Sequence, residues 1–282
     1  MINKRGVIKA FNFINLAEKP QKPRSKSVIE IRGPYYYPVT PNYVKNLLET
    51  YSEHIDGFKF AGGSPRLISK DLVKKFIKLC HDHNVYVSTG GFIERVIVQG
   101  SKAVDEYLEE CKSLEFDVIE VSSGLAKIPL HDQVEIVKQV KKLGMKAKPE
   151  ISLILGAGAG TEIVDYKENI KLNPVSTLIK KADAFLKAGA YMLMLESEGI
   201  TEGLPPKKWR TDVIKKLSDR FGTQKWMFEA AEPPVFKWYL KNFGQNVNLF
   251  IDHSQIVEYT AWALKLWGDQ DIWKNKVFKY KS

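Results

Sequence analysis

Cysteine is nearly absent from this chain: two in 282 residues, Cys80 and Cys111. Both fall inside stretches with helical periodicity and share no metal-ligand spacing. That excludes a disulfide-stapled scaffold and a zinc cluster, and a reduced, cytoplasmic setting is the simplest expectation. Histidine is scarce too, at five residues. His81 and His83 in CHDHN sit at a helix end, where the helix dipole favours a surface histidine; His253, beside Asp252, is the one histidine near a strand end. No apolar run approaches the roughly 18 residues needed to span a bilayer, so no membrane partner is expected. The start, MINKRGVIKAFNFINLAEKPQKPRSKS, lacks a long apolar core and a small-residue cleavage site, which predicts an ordered or semi-ordered extension instead of a leader. No G-x-S-x-G elbow occurs and neither cysteine ends a strand pattern, which argues against acyl transfer through Ser or Cys. Acid is the minority charge, with 33 Asp and Glu against 43 Lys and Arg for a net charge of +10. The lysines are scattered through helical patterns such as DLVKKFIKLC, without the aromatic-laced basic stripe of a nucleic-acid binder. The excess therefore reads as a solvated basic exterior, and the expected partner is a small anionic molecule, not a nucleic acid. Self-association is left open.

What is present is a rhythm. Short β-rich runs alternate with longer amphipathic ones along almost the whole chain. The strand candidates are SVIEIR (27–32), DGFKF (56–60), NVYVS (84–88), DVIEV (117–121), KAKPE (146–150), YMLML (191–195), KWMFE (225–229) and NLFID (248–252). Helical periodicity marks 41–53, 71–83, 101–114, 131–143, 175–188, 211–220, 233–243 and 254–267. Cap signals open several helices, at Thr40-Pro41, Ser69 and Ser254, and Asn84, Gly144 and Gly189 close others. Eight strand–helix units predict a parallel sheet closed as a (β/α)8 TIM barrel, with a doubly wound open sheet as the alternative. With 44% hydrophobic residues there is enough apolar mass for one such core. The predicted organisation is a single domain, a barrel over 27–282 with a short N-terminal extension over 1–26. Two segments break the rhythm. The 151–174 connection, with GAGAG at 156–160, lacks dinucleotide-loop spacing and reads as a mobile loop and candidate lid. The three tyrosines at 35–37 either line the mouth or pack under the extension.

Side-chain parity gives the sharpest signal. Residues two apart on a barrel strand share a face, so one set lines the lumen while the other packs on helices. Val28, Glu30 and Arg32 share a face against apolar Ile29 and Ile31, and Lys59 opposes Phe58 and Phe60. Val118, Glu120 and Ser122 form a set, as do Lys146, Lys148 and Glu150. Met192, Met194 and Glu196 align, as do Met227 with Glu229 and Asn248, Phe250 with Asp252. The lumen is thus predicted to hold Glu30, Arg32, Lys59, Glu120, Lys148, Glu150, Glu196, Glu229 and Asp252, clustered toward the C-terminal strand ends where barrel sites lie. Such charges are costly unless paired, hydrogen-bonded or metal-bound, and some must brace one another. Several carboxylates facing one cavity suit a hard cation, Mg²⁺ by default. Arg32, Lys59 and Lys148 can hold carboxylate or phosphate oxygens. Gly62-Gly63 and Gly90-Gly91, just past strand ends, can bring backbone N–H groups close to an anion. Metal and cations together favour stabilising an enolate-type anion.

The strand-end motifs KFAGGS (59–64), STGGFIE (88–94), DVIEVSSG (117–124), KPE (148–150), LESEG (195–199), MFEAAEP (227–233) and VNLF (247–250) occur in that order on successive strands. Together, over about residues 27–268, the chain resembles phosphosulfolactate synthases. EIRGPYY, WRTD (209–212) and DHSQIV (252–257) look like the eukaryotic branch of plant heat-stress-associated and fungal proteins. The resemblance implies Mg²⁺-dependent addition of sulfite to C3 of phosphoenolpyruvate. It matches Lys59, Gly90, Gly91, Glu94, Glu120, Glu150, Glu196, Glu229 and Asn248 to family positions. On that footing Glu150, Glu196 and Glu229 are expected to hold the metal. Lys59, Arg32, Lys148 and Glu120 are the catalytic candidates, with Lys59 holding the substrate carboxylate or protonating C2. Gly62, Gly63, Gly90, Gly91, Glu94, Ser122 and Asn248 are the candidates for substrate binding, the amides near Gly62 and Gly91 taking phosphate. The chain departs from the archaeal pattern in two places. Ile31-Arg32-Gly33 stands where those members carry Asp-Lys-Gly. Ser152, Leu153 and Ile154 stand where they carry basic residues after the strand-five glutamate; Arg32 or Lys148 is then expected to substitute. Another small acid as substrate, or a non-catalytic stress-associated binding role, are the alternatives.

Overall fold

The structure, a computed structural model, describes residues 9–34, 38–154, 172–269, 277, 279 and 280. The tyrosines at 35–37 and the GAGAG run lie outside them. Eight parallel strands close into a barrel in sequence order: β1 (Ile29–Arg32), β2 (Gly57–Lys59), β3 (Tyr86–Ser88), β4 (Val118–Val121), β5 (Lys146–Ile151), β6 (Leu193–Leu195), β7 (Trp226–Glu229) and β8 (Leu249–Asp252). Closure pairs β1 with β8, Arg32 lying against Asp252 on one side and against Lys59 of β2 on the other. The helices are α1 (Pro41–Tyr51), α2 (Lys70–His81), α3 (Ile93–Ile97), α4 (Ser101–Ser113), α5 (Leu130–Lys142), α6 (Val175–Ala188), α7 (Thr211–Phe221), α8 (Pro233–Phe243) and α9 (Ile256–Ala263). No helix among the described residues is long and apolar enough to cross a membrane.

Local chemistry explains the boundaries. The Thr40 side chain accepts from Tyr43 N–H with Pro41 in the first turn, and Ser69 accepts from Leu72 N–H, satisfying donors that an α-helix leaves unpaired. Gly189 closes α6 at φ 94°, a left-handed conformation that costs a glycine little. At the eighth strand the expected Ser254 cap is replaced. Asp252 accepts from Ser254 N–H at 2.9 Å, residues 253–255 make a 3-10 turn, and α9 starts only at Ile256. The short α3, IERVI, follows the 3-10 turn Gly90–Phe92 and lies inside what reads from the sequence as one connection.

The alternation of faces is as the period of two requires. Ile29, Ile31, Phe58, Phe60, Ile119, Val121, Leu193, Leu195, Phe228 and Ile251 belong to the shell between strands and helices. Val28, Met192, Met194, Met227 and Phe250 form a separate apolar plug inside the barrel. The plug fills the lower lumen, so the charged side chains above it stand on an apolar floor.

The N-terminal extension closes the opposite end. Arg24 pairs with Asp56 at 2.8 Å with both side chains buried, and Asp56 also accepts from Ile29 N–H, the first residue of β1. Lys22 donates to the Ser52 and Asn84 carbonyls and Lys19 to the His54 carbonyl. Ala17 N–H reaches the Leu264 carbonyl at 3.0 Å, tying the extension to the residue after α9. Burial, helped by the neighbouring Arg24, pushes the Lys19 ammonium down to about 7.

Candidate active site at the strand ends

Above the plug the barrel carries two kinds of charge. The first is a braced network on β1, β2, β4 and β5. Lys148, 1% exposed, bridges Glu30 and Glu120, the latter at 3.3 Å. Lys59 reaches Glu120 at 2.8 Å and lies over the Phe250 ring at 4.2 Å. Both ammonium groups lie within ion-pair distance of the Glu120 carboxylate. Burial alone would raise the Glu120 carboxyl, but Lys59 and Lys148 hold it below its ordinary value. Burial would lower Lys59, but Glu120, Glu30 and Glu229 raise it, so its ammonium stays charged.

The second kind is an acidic cluster on β6, β7 and the loop after β6. Arg32 pairs with Glu229 at 2.7 Å. Glu229 also accepts from Ser197 N–H at 3.3 Å and Ser197 Oγ at 3.1 Å. Carboxylate oxygens of Glu196, Glu202 and Glu229 all lie within 4.8 Å of one another. Burial first, then the charges of Glu229 and Glu150, drive Glu196 well above the carboxylate range. Burial opposes ionisation of Glu229 as well, but the hydrogen bond with Glu196 and the charges of Arg32 and Lys59 keep it ionised. The pair therefore shares one proton, held on Glu196. Glu202 is raised by burial and by Glu229, and Glu198, 2% exposed, is raised to about 8 by burial and by Glu202.

Glu150 sits between the two regions. Burial and Glu120 push it up to about 8, so near neutrality it is a carboxylic acid with a proton to give. The absence of an ion-pair partner for it among the described residues sets it apart from Glu120 one strand away.

Each residue singled out by sequence now has a place. Arg32, Lys59, Glu120, Lys148, Glu150, Glu196 and Glu229 converge in the upper lumen. Glu150 is not in the carboxylate triad that could hold a cation; Glu202 takes that position. Two expectations need correcting. Asn248 precedes β8 and lies at the other end of the barrel from the charged ring. Its Oδ1 accepts from Val28 N–H at 2.9 Å and its Nδ2 donates to the Trp226 carbonyl at 3.1 Å, so its amide is consumed in joining β7, β8 and β1. Glu94 is engaged with the chain itself. Its carboxylate accepts from three successive backbone amides, Gly124 at 2.9 Å, Leu125 at 2.7 Å and Ala126 at 2.6 Å, and so fixes the loop after β4. Ser122 donates to the Gly91 carbonyl at 3.2 Å. The glycines have a packing cause of their own. A Cβ on Gly90, at φ +62°, would lie 2.3 Å from the Phe60 carbonyl oxygen, and one on Gly63, at φ +72°, would meet the Phe92 ring at 2.7 Å. His253 points away from the lumen, its Nδ1 2.6 Å from Tyr43 Oη.

Glu202 escaped the sequence reading because it lies on no strand. Its signal was the spacing of Glu196, Glu198 and Glu202 around Gly199 and Gly203, both at φ 71°, which turn the loop back so that Glu198 and Glu202 bridge.

A sequence model of the family described as (2R)-phospho-3-sulfolactate synthase (ComA) matches residues 17–269. Protein HEAT-STRESS-ASSOCIATED 32 of Arabidopsis thaliana is 36% identical over 250 residues, 86% of this chain and 87% of that protein. Phosphosulfolactate synthase of Methanocaldococcus jannaschii is 26% identical over 234 residues, 81% of this chain and 88% of that one. Among solved structures, the truncated 3-deoxy-D-arabino-heptulosonate 7-phosphate synthase of Thermotoga maritima superposes with a TM-score of 0.51 at 9% identity, covering 85% of this chain and 86% of that chain. At that identity the likeness is one of fold.

Proposed function

Since the chain belongs to the (2R)-phospho-3-sulfolactate synthase family, we propose that it is a barrel enzyme that adds sulfite to C3 of phosphoenolpyruvate with the help of Mg²⁺. The observation that carries the reading is the acidic cluster. Glu196, Glu202 and Glu229 bring carboxylate oxygens within 4.8 Å of one another beside a permanently charged lysine, in a lumen whose floor is apolar. The donor set fits a hard divalent cation: all oxygen, and so acid-rich that Glu196 must otherwise hold a proton. Glu196, Glu202 and Glu229 would hold it, and when bound it supplies stabilisation of negative charge developing on substrate oxygens.

The chain's own residues account for the rest. Lys59 holds the substrate carboxylate as a fixed charge; its raised basicity makes it a poor proton donor, so the protonation of C2 falls to another group. Glu150, neutral up to about pH 8, is suited to it. Sulfite sulfur forms the bond to C3, the C2=C3 electron pair moves toward the carboxylate, and C2 takes the Glu150 proton. Glu150 recovers a proton from the hydrogensulfite that entered. Arg32, tied to Glu229, orients the acidic cluster and is not the acid. Lys148, sealed below between Glu30 and Glu120, braces the barrel and sets the charge of Glu120.

Single-turnover mixing with phosphoenolpyruvate, sulfite and Mg²⁺, followed by loss of the enol absorbance, tests the reading. Consumption that needs all three components, and that Glu196→Gln and Glu229→Gln each abolish, is the expected result. No consumption, with phosphoenolpyruvate still raising Tm, would refute sulfite addition and transfer the same site to another small acid. Neither effect would refute the site itself.

A further inference from the structure

The basic residues read from the strands are all engaged: Arg32 with Glu229, Lys59 with Glu120, and Lys148 with Glu30 and Glu120. One lysine at the strand ends is different, and it comes from a helix. Lys181 lies in the second turn of α6 and lines a recess with Ser123, Glu150, Ser152 and Asn173, over the C-terminal ends of β4 and β5. It is half-buried and makes no ion pair or hydrogen bond with a described residue. Beyond Glu150, the described part of the fifth strand's end offers no cation, since it continues Ile151, Ser152, Leu153, Ile154. Lys181 is thus the only positive charge lining this recess among the described residues.

The neighbours show which donors are spare. Ser152 Oγ donates to the Ile154 carbonyl at 2.9 Å, and Ser123 Oγ to Gln133 Oε1 at 3.2 Å, so neither hydroxyl hydrogen is available. Gly124 N–H is held by Glu94. Asn173 is fixed by its own N–H to the Leu153 carbonyl at 2.8 Å, and one amide hydrogen goes to the Ser152 carbonyl at 3.1 Å. Its second amide hydrogen has no acceptor among the described residues. Lys181 and Asn173 therefore line the same small polar recess, which Glu150 also lines. Withdrawing an ammonium from water without a partner is unfavourable, and burial does lower Lys181 while Glu150 only partly offsets it. An anionic ligand would reverse that cost.

We propose that Lys181, with Asn173, anchors a tetrahedral oxyanion of the substrate at the β5 end of the barrel, holding it beside the Glu150 carboxyl. The shared chemistry is a phosphate- or sulfite-type dianion, which is the group both co-substrates of the proposed reaction carry. The identity of that group rests on the proposed function; the anchor itself does not.

The test compares wild type with Lys181→Met and Lys181→Arg. Without Mg²⁺, inorganic phosphate and sulfite are each titrated against Tm. The expected result is that at least one anion raises the wild-type Tm, that Met at 181 loses most of the rise, and that Arg keeps it. In steady state, Met at 181 is expected to raise one KM about tenfold or more, the scale of one charge-assisted hydrogen bond, with kcat within about twofold, as holding the ground and transition states equally requires. A raised KM for phosphoenolpyruvate alone assigns the anchor to the ester phosphate, and for sulfite alone to the nucleophile. If the protein turns over neither compound, the proposed reaction fails while the Tm arm still decides the anchor. Retention of anion stabilisation by Lys181→Met overturns it. So does a fall in the unliganded Tm of that variant, which would make Lys181 a structural partner.

Discussion

Lys148 is the residue on which a catalytic and a structural assignment diverge most sharply, and Lys148→Met separates them. The lysine is 1% exposed and contacts Glu30, 0% exposed, and Glu120, also 1% exposed. Methionine fills similar volume, so the packing loss is small and the change is almost purely one of charge. Two buried carboxylates then share the single ammonium of Lys59, which reaches only Glu120. Removing one partner of a buried ion pair costs about 3–5 kcal/mol, and at about this chain length each kcal/mol lowers Tm by roughly 2–4 °C. The expected fall is therefore about 6–20 °C at neutral pH. It shrinks as pH is lowered, because a protonated carboxyl no longer needs the missing charge. Adding Glu30→Gln to Lys148→Met removes the stranded carboxylate and recovers a large part of the loss. The assay is calorimetric melting of the three proteins between pH 5 and 8. A Lys148→Met protein that melts within about 2 °C of wild type, less than a single lost kcal/mol, would show that Lys148 is not the brace of this lumen. So would a double variant no more stable than the single one.

Two further outcomes follow from the same geometry. Glu94→Ala releases the backbone amides of Gly124, Leu125 and Ala126, and at about 1.5–3 kcal/mol for a hydrogen bond to a charged group the loss should show as a lower Tm and as faster amide exchange confined to 124–126; protection there equal to wild type would contradict the assignment. Glu150→Gln tests the raised carboxyl by the sign of its pH dependence. The folded protein holds the Glu150 proton up to about pH 8 whereas the unfolded chain releases it near its ordinary value, so the stability this group contributes is full below the carboxylate range and is lost as pH rises to about 8. The melting temperature of Glu150→Gln relative to wild type should therefore climb between pH 5 and 8, and a flat difference would mean that Glu150 titrates normally.

Much of this arrangement was legible in the chain itself, for a definite reason. In a barrel the strand period of two is also the division between lumen and shell, so Glu30 with Arg32, or Met227 with Glu229, can be assigned to the inside from parity alone. The pairings were not legible. Glu30 and Lys148 stand 118 residues apart and meet only because closure brings β1 and β5 to one lumen. Parity also does not tell one end of a strand from the other. Asn248 has the correct face but stands at the start of its strand, among backbone groups that use its whole amide. Glu94 matched a family position, yet that position serves a loop, because three amides of the next connection fold over its carboxylate. Glu202 and Lys181 were missed because neither lies on a strand: one is carried back by a turn between glycines, the other reaches in from α6.

The division of the lumen into two halves has a chemical consequence. On β1, β2, β4 and β5, Lys59 and Lys148 answer Glu30 and Glu120, and that half is complete without a ligand. On β6, β7 and the following loop, Arg32 pairs with Glu229 and Lys59 adds a second positive charge, while burial and mutual repulsion raise Glu196, Glu198 and Glu202. On the proposed function, a divalent cation bound in this half would compete with protons on the raised carboxyls, so its affinity would rise with pH and its binding would release protons. The same competition would keep the site foldable without a cation, since protonated carboxyls need no counter-charge. Under the proposed function, the asymmetry would tie charge stabilisation to β6 and β7 and leave Lys59 and Glu150, across the lumen, to hold and protonate the anion.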